Sequence, residues 1–236
     1  MIQFYLPDIS TMPVLPESES GHCVRVLRMR EGDELICVDG KGNRYTCSIL
    51  EAHPKHVQLQ VISKEEVPQC WKANIHLAFA PTKHMDRVEW MLEKCTEMGI
   101  NSFVPVRCDR SERKDVKSER LEKILVSAMK QSLKATLPEL DAMTPLRQLL
   151  TADIPGSKFI GYCSDEVTRR EFSKEYIPGT DVTILIGPEG DFSPEEVKIA
   201  VDNGWIPVTF GDSRLRAETA GIFSVAAVHA INQKEL

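Results

Sequence analysis

The chain has 236 residues, 42% of them hydrophobic and 27% charged, with a formal net charge of -6. This is the composition of a globular protein with room for a full core or two unequal domains, and it excludes a disordered or low-complexity chain. No run approaches the ~18 apolar residues of a membrane helix, and "MIQFYLPDIS" has no basic region followed by a hydrophobic one, so neither a membrane span nor a secretion signal is expected. The seven cysteines (23, 37, 47, 70, 95, 108 and 163) are scattered and form no C-x-x-C. That pattern points to reduced thiols in a cytoplasm, and no disulfide framework or metal site is expected.

Short alternating segments occupy the first part of the chain. "DELICVD", "RYTCSIL" and "HVQLQVI" read as strands, and "DGKGN" (39–43) as the hairpin turn between the first two. Before them, "GHCVRVLRMREGD" reads as a short helix ending at Gly32, with Val24 and Leu27 inward and Arg25, Arg28 and Arg30 outward. The character changes near 64–72, "KEEVPQCWK". Residues 1–70 therefore read as a small, mostly β domain, and 73–236 as a second domain.

In the second domain the period changes and strands alternate with helices. "NIHLAFA" is a strand. "HMDRVEWMLEKCTEMG" is an amphipathic helix with Val88, Met91, Leu92 and Cys95 on one side and Gly99 as its stop. "SFVPV" is a strand, and "SERLEKILVSAMKQSLK" a long helix carrying Leu121, Ile124, Leu125, Ala128 and Leu133. A short helix "TPLRQLL" and a strand "KFIGYC" follow. "DVTILIG" is a continuous apolar run suited to a central parallel strand. The helix "SPEEVKIAVDNG", the strand "WIPVTFG" and the helix "AETAGIFSVAAVHAI" complete an α/β domain, whose ligands belong beyond the carboxyl ends of its strands.

Two turns in this domain carry chemistry. In "TILIGPEGDFSPEE", Gly187 and Gly190 permit sharp turning and close approach of a ligand, and Ser193, Pro194 and Glu196 form a helix start with a capping box. The turn is neither G-x-x-x-x-G-K-[ST] nor G-x-G-x-x-G. Its carboxylates, Glu189 and Asp191, oppose a polyphosphate but tolerate a cationic or neutral ligand such as S-adenosylmethionine. In "TFGDSRLRAETAG", Gly211 ends a strand, Arg214, Leu215 and Arg216 fill the loop, and Glu218 and Thr219 open the helix. Two such turns at adjacent strand ends suggest two walls of one pocket. An Arg216–Glu218 ion pair with a purely structural role is the competing reading.

Charge is uneven. Residues 107–134 hold nine Lys/Arg against five Asp/Glu. This segment reads either as a phosphate-facing patch or as a solvated helix face with pairs such as Glu119–Lys123.

"LIGPEGDFSPEE" and "FGDSRLRAETA" resemble the two signature loops of the RsmE family of 16S ribosomal RNA N3-uridine methyltransferases, in the SPOUT superfamily. The resemblance spans nearly the whole chain. "HCVRVLR" with Gly32–Asp33 resembles the start of the family's PUA-like domain. "KHMDRVEWMLEKCTEMGI", "PVRCDRS" and "AMKQSLKATLPEL" resemble its middle segments, matching at Lys83, Lys94, Glu97, Gly99, Pro105, Arg107, Arg110, Ser111, Gln131, Ser132 and Pro138. Three places depart from the family pattern. Asp191 stands where the family has the second glycine of "GPEGG", Lys130–Gln131 and Lys134 replace an "EQ" and a later Arg, and Gln3 stands near a usual N-terminal arginine.

The resemblance implies a PUA-like β-barrel domain followed by a SPOUT methyltransferase domain with a C-terminal trefoil knot, acting as a homodimer. It implies S-adenosylmethionine held by Leu185, Ile186, Gly187, Glu189, Gly190, Gly211, Leu215, Ala217 and Thr219, with chemistry at Arg216, Glu189 and Glu218. The implied substrate is a uridine N3 of 16S ribosomal RNA within the small ribosomal subunit, in the cytoplasm. Arg28, Lys94, Arg107, Arg110, Lys114, Lys117 and Arg120 are the candidate RNA contacts. The alternatives are a SPOUT enzyme acting on another base or a ribose 2′-OH, and a non-catalytic RNA-binding or ribosome-assembly protein.

Overall fold

Alternating burial along residues 34–66 builds the first sheet. In the computed structural model, which describes residues 2–164 and 167–233, the N-terminal elements are β1 (Gln3–Tyr5), β2 (Val14–Leu15), α1 (Glu17–Gly21), β3 (Glu34–Val38), β4 (Asn43–His53) and β5 (His56–Glu66). Their order in the sheet is β1-β3-β4-β5-β2; β1 runs parallel to β3, and the other pairs are antiparallel. Leu35, Cys37, Tyr45, Cys47, Ile49, Val57 and Leu59 alternate inward onto Phe4, Leu6, Ile9 and Leu15. Beyond Leu59, β5 is exposed on both faces, including Val61 and Ile62.

The helix expected up to Gly32 is shorter and earlier. α1 passes into a π-helical turn over His22–Val26, and Arg28, exposed, takes a left-handed φ of 57°.

The second set of elements is β6 (Ile75–Phe79), α2 (Met85–Met98), β7 (Ser102–Arg107), α3 (Ser118–Gln131), β8 (Glu139–Leu140), β9 (Thr144–Pro145), α4 (Leu146–Leu150), β10 (Ser157–Gly161), β11 (Arg170–Glu171), α5 (Phe172–Glu175), β12 (Val182–Ile186), α6 (Pro194–Asp202), β13 (Ile206–Thr209) and α7 (Ala217–Gln233). Their sheet is parallel throughout, in the order β11-β13-β10-β12-β6-β7-β8, with β9 also on β7. All five residues of β12 are buried, as a central parallel strand requires. On one face Ala78, Val104, Ile160 and Leu185 pack with the leucines of α4 and with Val197 and Ala200 of α6. On the other, Gly221 of α7 lies against Met91 of α2 and Leu77 of β6.

By contacts the chain divides into Met1–Gln69 with Val126–Leu137, and Cys70–Leu125 with Pro138–Leu236. The second half of α3 thus belongs to the first unit, where Met129 and Ala135 pack with Val38.

α3 stops three residues before the expected Lys134. Lys134 N–H donates to Met129 O (3.1 Å) and Leu133 N–H to Lys130 O (3.2 Å), the paired bonds of a Schellman cap, with Leu133 at φ 57° in the place glycine usually takes. Leu133 is consequently exposed, not a core residue. Gly99 ends α2 as expected, at φ 109°, and a Cβ there would stand 2.6 Å from the Trp71 ring.

Asp39 fixes the "DGKGN" turn. One carboxylate oxygen accepts from Lys41 N–H (2.8 Å) and Asn43 N–H (3.1 Å), and the other from Asn43 Nδ2 (2.6 Å) and the Tyr45 hydroxyl (3.3 Å). Burial opposes the charge, but these donors prevail and hold the Asp39 pKa below its ordinary value. A depressed folded-state pKa gives stability that is present above the unfolded-state value and lost as pH falls. Asp39→Ala is expected to cost about 1–3 kcal/mol at neutral pH. Urea unfolding should show the gap between variant and parent narrowing below about pH 4.

Candidate active site

Four adjacent strands, β13, β10, β12 and β6, end at one cavity of about 880 Å³. Its walls are the loop after β6 (Lys83 and His84), the loop after β10 (162–164), the turn after β12 (187–189 with Asp191) and the loop after β13 (211–216). The first turn of α7 closes it with Ala217, Glu218 and Ala220. This is the carboxyl edge of a parallel sheet, where ligand sites of such folds lie.

Of the expected cofactor residues, Ile186, Gly187, Glu189, Gly211, Leu215 and Ala217 line this cavity, together with the expected catalytic residues Arg216 and Glu218. Three others stand elsewhere. Leu185 is buried in the core one residue behind the wall, Thr219 is exposed outside it, and Gly190 turns its carbonyl to Arg110 Nη1 at 3.1 Å. The two glycines are therefore constrained differently. A Cβ on Gly187 would lie 2.8 Å from the buried Phe192 ring, whereas one on Gly190 would make ordinary contact with Arg110 at 3.4 Å. Gly187 is needed for packing beneath the cavity.

The Arg216–Glu218 pair of the competing structural reading does not form: among the described residues neither has an ion-pair partner. Glu218 is buried and its Oε1 accepts from the Thr82 hydroxyl at 2.6 Å, while Arg216 is exposed on the cavity wall. Glu189 Oε1 accepts from Lys83 N–H at 2.9 Å. Both carboxylates are thus anchored by residues 82–83; Lys83 is a match to the resembled pattern, whereas Thr82 carries no glycine or motif signal in the sequence. Arg113 was likewise not singled out; its guanidinium donates to the carbonyls of Thr82 (3.4 Å) and Lys83 (3.3 Å).

Asp191 adopts a left-handed φ of 59°, which accounts for glycine at this position in the resembled pattern. Its side chain closes its own turn through Phe192 N–H (2.9 Å) and reaches Cys163 N–H (3.2 Å), tying the turn after β12 to the loop after β10. The Cys163 thiol is exposed to the cavity, yet the surrounding walls desolvate it and Asp191 adds negative charge. These effects raise its pKa against the opposing pull of Arg169 and Arg214. The Ser193–Glu196 capping box is present, and the buried Glu196 also accepts from Asp109 N–H at 2.7 Å.

Several expected RNA contacts have partners already. Lys94 is paired with Glu93 (2.6 Å) and Glu97 (2.9 Å), Arg120 with Glu89 (2.8 Å), and Arg110 braces Gly190. Lys114 and Arg107 border a second recess of about 360 Å³ with Arg147. Lys117 and Arg28 are exposed. No cluster of three or more metal-ligating side chains occurs among the described residues.

A family model described as an RNA methyltransferase domain matches residues 69–229, and one described as an RNA methyltransferase PUA domain matches residues 15–62. The chain belongs to the RNA methyltransferase family, in its RsmE branch. Ribosomal RNA small subunit methyltransferase E of Bacillus subtilis is 27% identical over 89% of this chain and 86% of its own length. A solved "probable rRNA-methyltransferase" from Porphyromonas gingivalis is 42% identical, with a TM-score of 0.95 over the whole of both chains. A ribosomal RNA small subunit methyltransferase E from Neisseria gonorrhoeae, solved bound to S-adenosyl methionine, has a TM-score of 0.85 at 26% identity over 98% of each chain. These relatives share both the PUA-like part and the parallel α/β part.

Packing around Gly187 and Gly190 separates two variants. Gly187→Ala is expected to displace Phe192, costing about 1–3 kcal/mol as overpacking does, and to weaken S-adenosylmethionine binding. Gly190→Ala should leave both near the parent. Equal losses in calorimetric titration would contradict this division of the turn.

Proposed function

We propose that the chain transfers a methyl group from S-adenosylmethionine to N3 of a uridine in 16S ribosomal RNA. The observation that carries this is the cavity itself, built from the two family loops at four adjacent strand ends. Its volume falls within the range of about 300–1,000 Å³ usual for small-molecule sites. Its wall holds five Asp/Glu and five Lys/Arg. That balance suits a ligand bearing carboxylate, ammonium and sulfonium groups better than a polyphosphate, and no phosphate-cradling motif is present.

When bound, the cofactor supplies a methyl group made electrophilic by its sulfonium. The chain's part is to align the base and exclude water. Neutral uridine N3 carries a proton, and its loss places negative charge on the two flanking carbonyl oxygens. Arg216 is assigned to that charge: it lies on the wall and no carboxylate among the described residues engages its guanidinium. Glu189 and Glu218 are the carboxylates available to hold or accept the proton, each fixed by one donor from residues 82–83.

Lys114 and Lys117, exposed and without ion-pair partners among the described residues, are the best placed of the basic segment to meet RNA phosphates. Small-subunit RNA as substrate is supported by the names of the relatives, and a bacterial cytoplasm follows from that substrate. No helix among the described residues is long and apolar enough to cross a membrane. The trefoil knot and the homodimer belong to the same reading on family grounds.

The deciding assay incubates the protein and S-adenosylmethionine with small ribosomal subunits and with naked 16S RNA, followed by mass analysis of the nucleosides. Methylation at another base or at a ribose oxygen would replace this reading. Arg216→Ala should lower the single-turnover rate by about a hundredfold or more, with a far smaller loss of cofactor affinity. Arg216→Lys should recover little, since it keeps the charge but not the planar fork. Near-normal transfer by folded Arg216→Ala would remove the assignment. Replacing Lys114 and Lys117 by Ala should reduce the salt dependence of RNA binding, by a slope of about 0.7–0.9 per lost phosphate contact.

A further inference from the structure

We infer that the Thr82–Lys83 dipeptide is a joint coupling the basic segment after β7 to the cavity, and that Arg113 is its positioning residue. The inference rests on the cofactor and RNA reading above. The dipeptide spends its polar groups in two directions. Toward the cavity, the Thr82 hydroxyl holds Glu218 (2.6 Å) and Lys83 N–H holds Glu189 (2.9 Å). Away from it, both carbonyls accept from one guanidinium, Arg113 Nε at 3.4 Å and Nη2 at 3.3 Å. Two carboxylates from different loops and one arginine of the basic segment therefore meet on two consecutive residues.

The fork geometry matters. A guanidinium engages two successive carbonyls at once and so fixes the orientation of the peptide between them. That peptide supplies the N–H bound to Glu189. Thr82 is buried, so the joint has little freedom to relax except by moving both carboxylates. A second link runs in parallel, from Arg110 to the carbonyl of Gly190 in the turn after β12. Cys108 to Ser111 form a turn fixed on Glu196, but residues 112–117 have neither helix nor strand, so holding them in place carries an entropic cost. RNA phosphates held at Lys114 and Lys117 order the segment, and Arg113 and Arg110 pass that order to the wall. A cofactor binding afterwards meets a wall already fixed, and binds more tightly.

Equilibrium dialysis of radiolabelled S-adenosylhomocysteine tests this on the full chain, with and without purified small ribosomal subunits. The parent should bind about fivefold or more tightly with subunits present, the lower end of usual coupling between sites. Arg113→Ala should lose most of the tightening, so that its affinity with subunits falls to about its own affinity without them. Arg113→Lys, with one donor head in place of a fork, should recover only part of it. An arginine serving stability alone would lower melting temperature and basal affinity together and leave the ratio unchanged. No tightening in the parent, or full tightening in folded Arg113→Ala or Arg113→Lys, would overturn the inference. A parent that binds no S-adenosylhomocysteine at all would instead overturn the cofactor reading beneath it.

Discussion

A strand with no solvent-facing side dictates the second unit. β12 is buried at all five positions and paired on both edges, by β10 and β6. Burying a charge without a partner there is prohibitive, so polar chemistry is displaced to the strand ends. Even Thr183, the one hydroxyl in β12, finds no hydrogen-bond partner among the described residues. The run stops at Gly187, and within five residues the chain presents Glu189 and Asp191. The neighbouring strands β10 and β6 end at the same edge, and the cavity is the space they leave.

Local signals marked what local physics decides. The capping box at Ser193–Glu196, the stop at Gly99, the hairpin at Asp39–Asn43 and the uninterrupted "VTILI" strand each rest on interactions within a few residues. The end of α3 was not legible because Leu133 occupies a position for which glycine is the usual signal, and the cap's paired bonds run from backbone to backbone. Strands of two or three residues, β1, β2, β8, β9 and β11, carry too short a pattern to stand out; they exist because a longer partner supplies the ladder. Membership of residues 126–137 in the first unit depends on packing against Val38, a long-range choice that no periodicity records.

The site divides along the same line. Its two glycine-bearing loops were legible as turns with chemistry, since strand, turn and helix announce themselves together. Its other two walls, after β6 and β10, have no such marker, and their roles arise from juxtaposition: Thr82 with Glu218, Lys83 with Glu189, Cys163 with Asp191. Charge counting left the role of the basic segment open for a related reason. Arg110 and Arg113 are engaged on carbonyls and Arg120 on Glu89, so fewer of these heads are free to meet a phosphate than a count of basic residues gives.

Asp191 has a chemical consequence beyond shape. A cavity that presents an activated methyl group must not offer a competing nucleophile, and Cys163 sulfur stands in the wall. The reactive form of that sulfur is the thiolate, whose share falls as its pKa rises. Desolvation by the walls raises it first, and the carboxylate that anchors the neighbouring backbone raises it further. The side chain that took glycine's place thus lowers the thiolate share of a cysteine in the cavity wall.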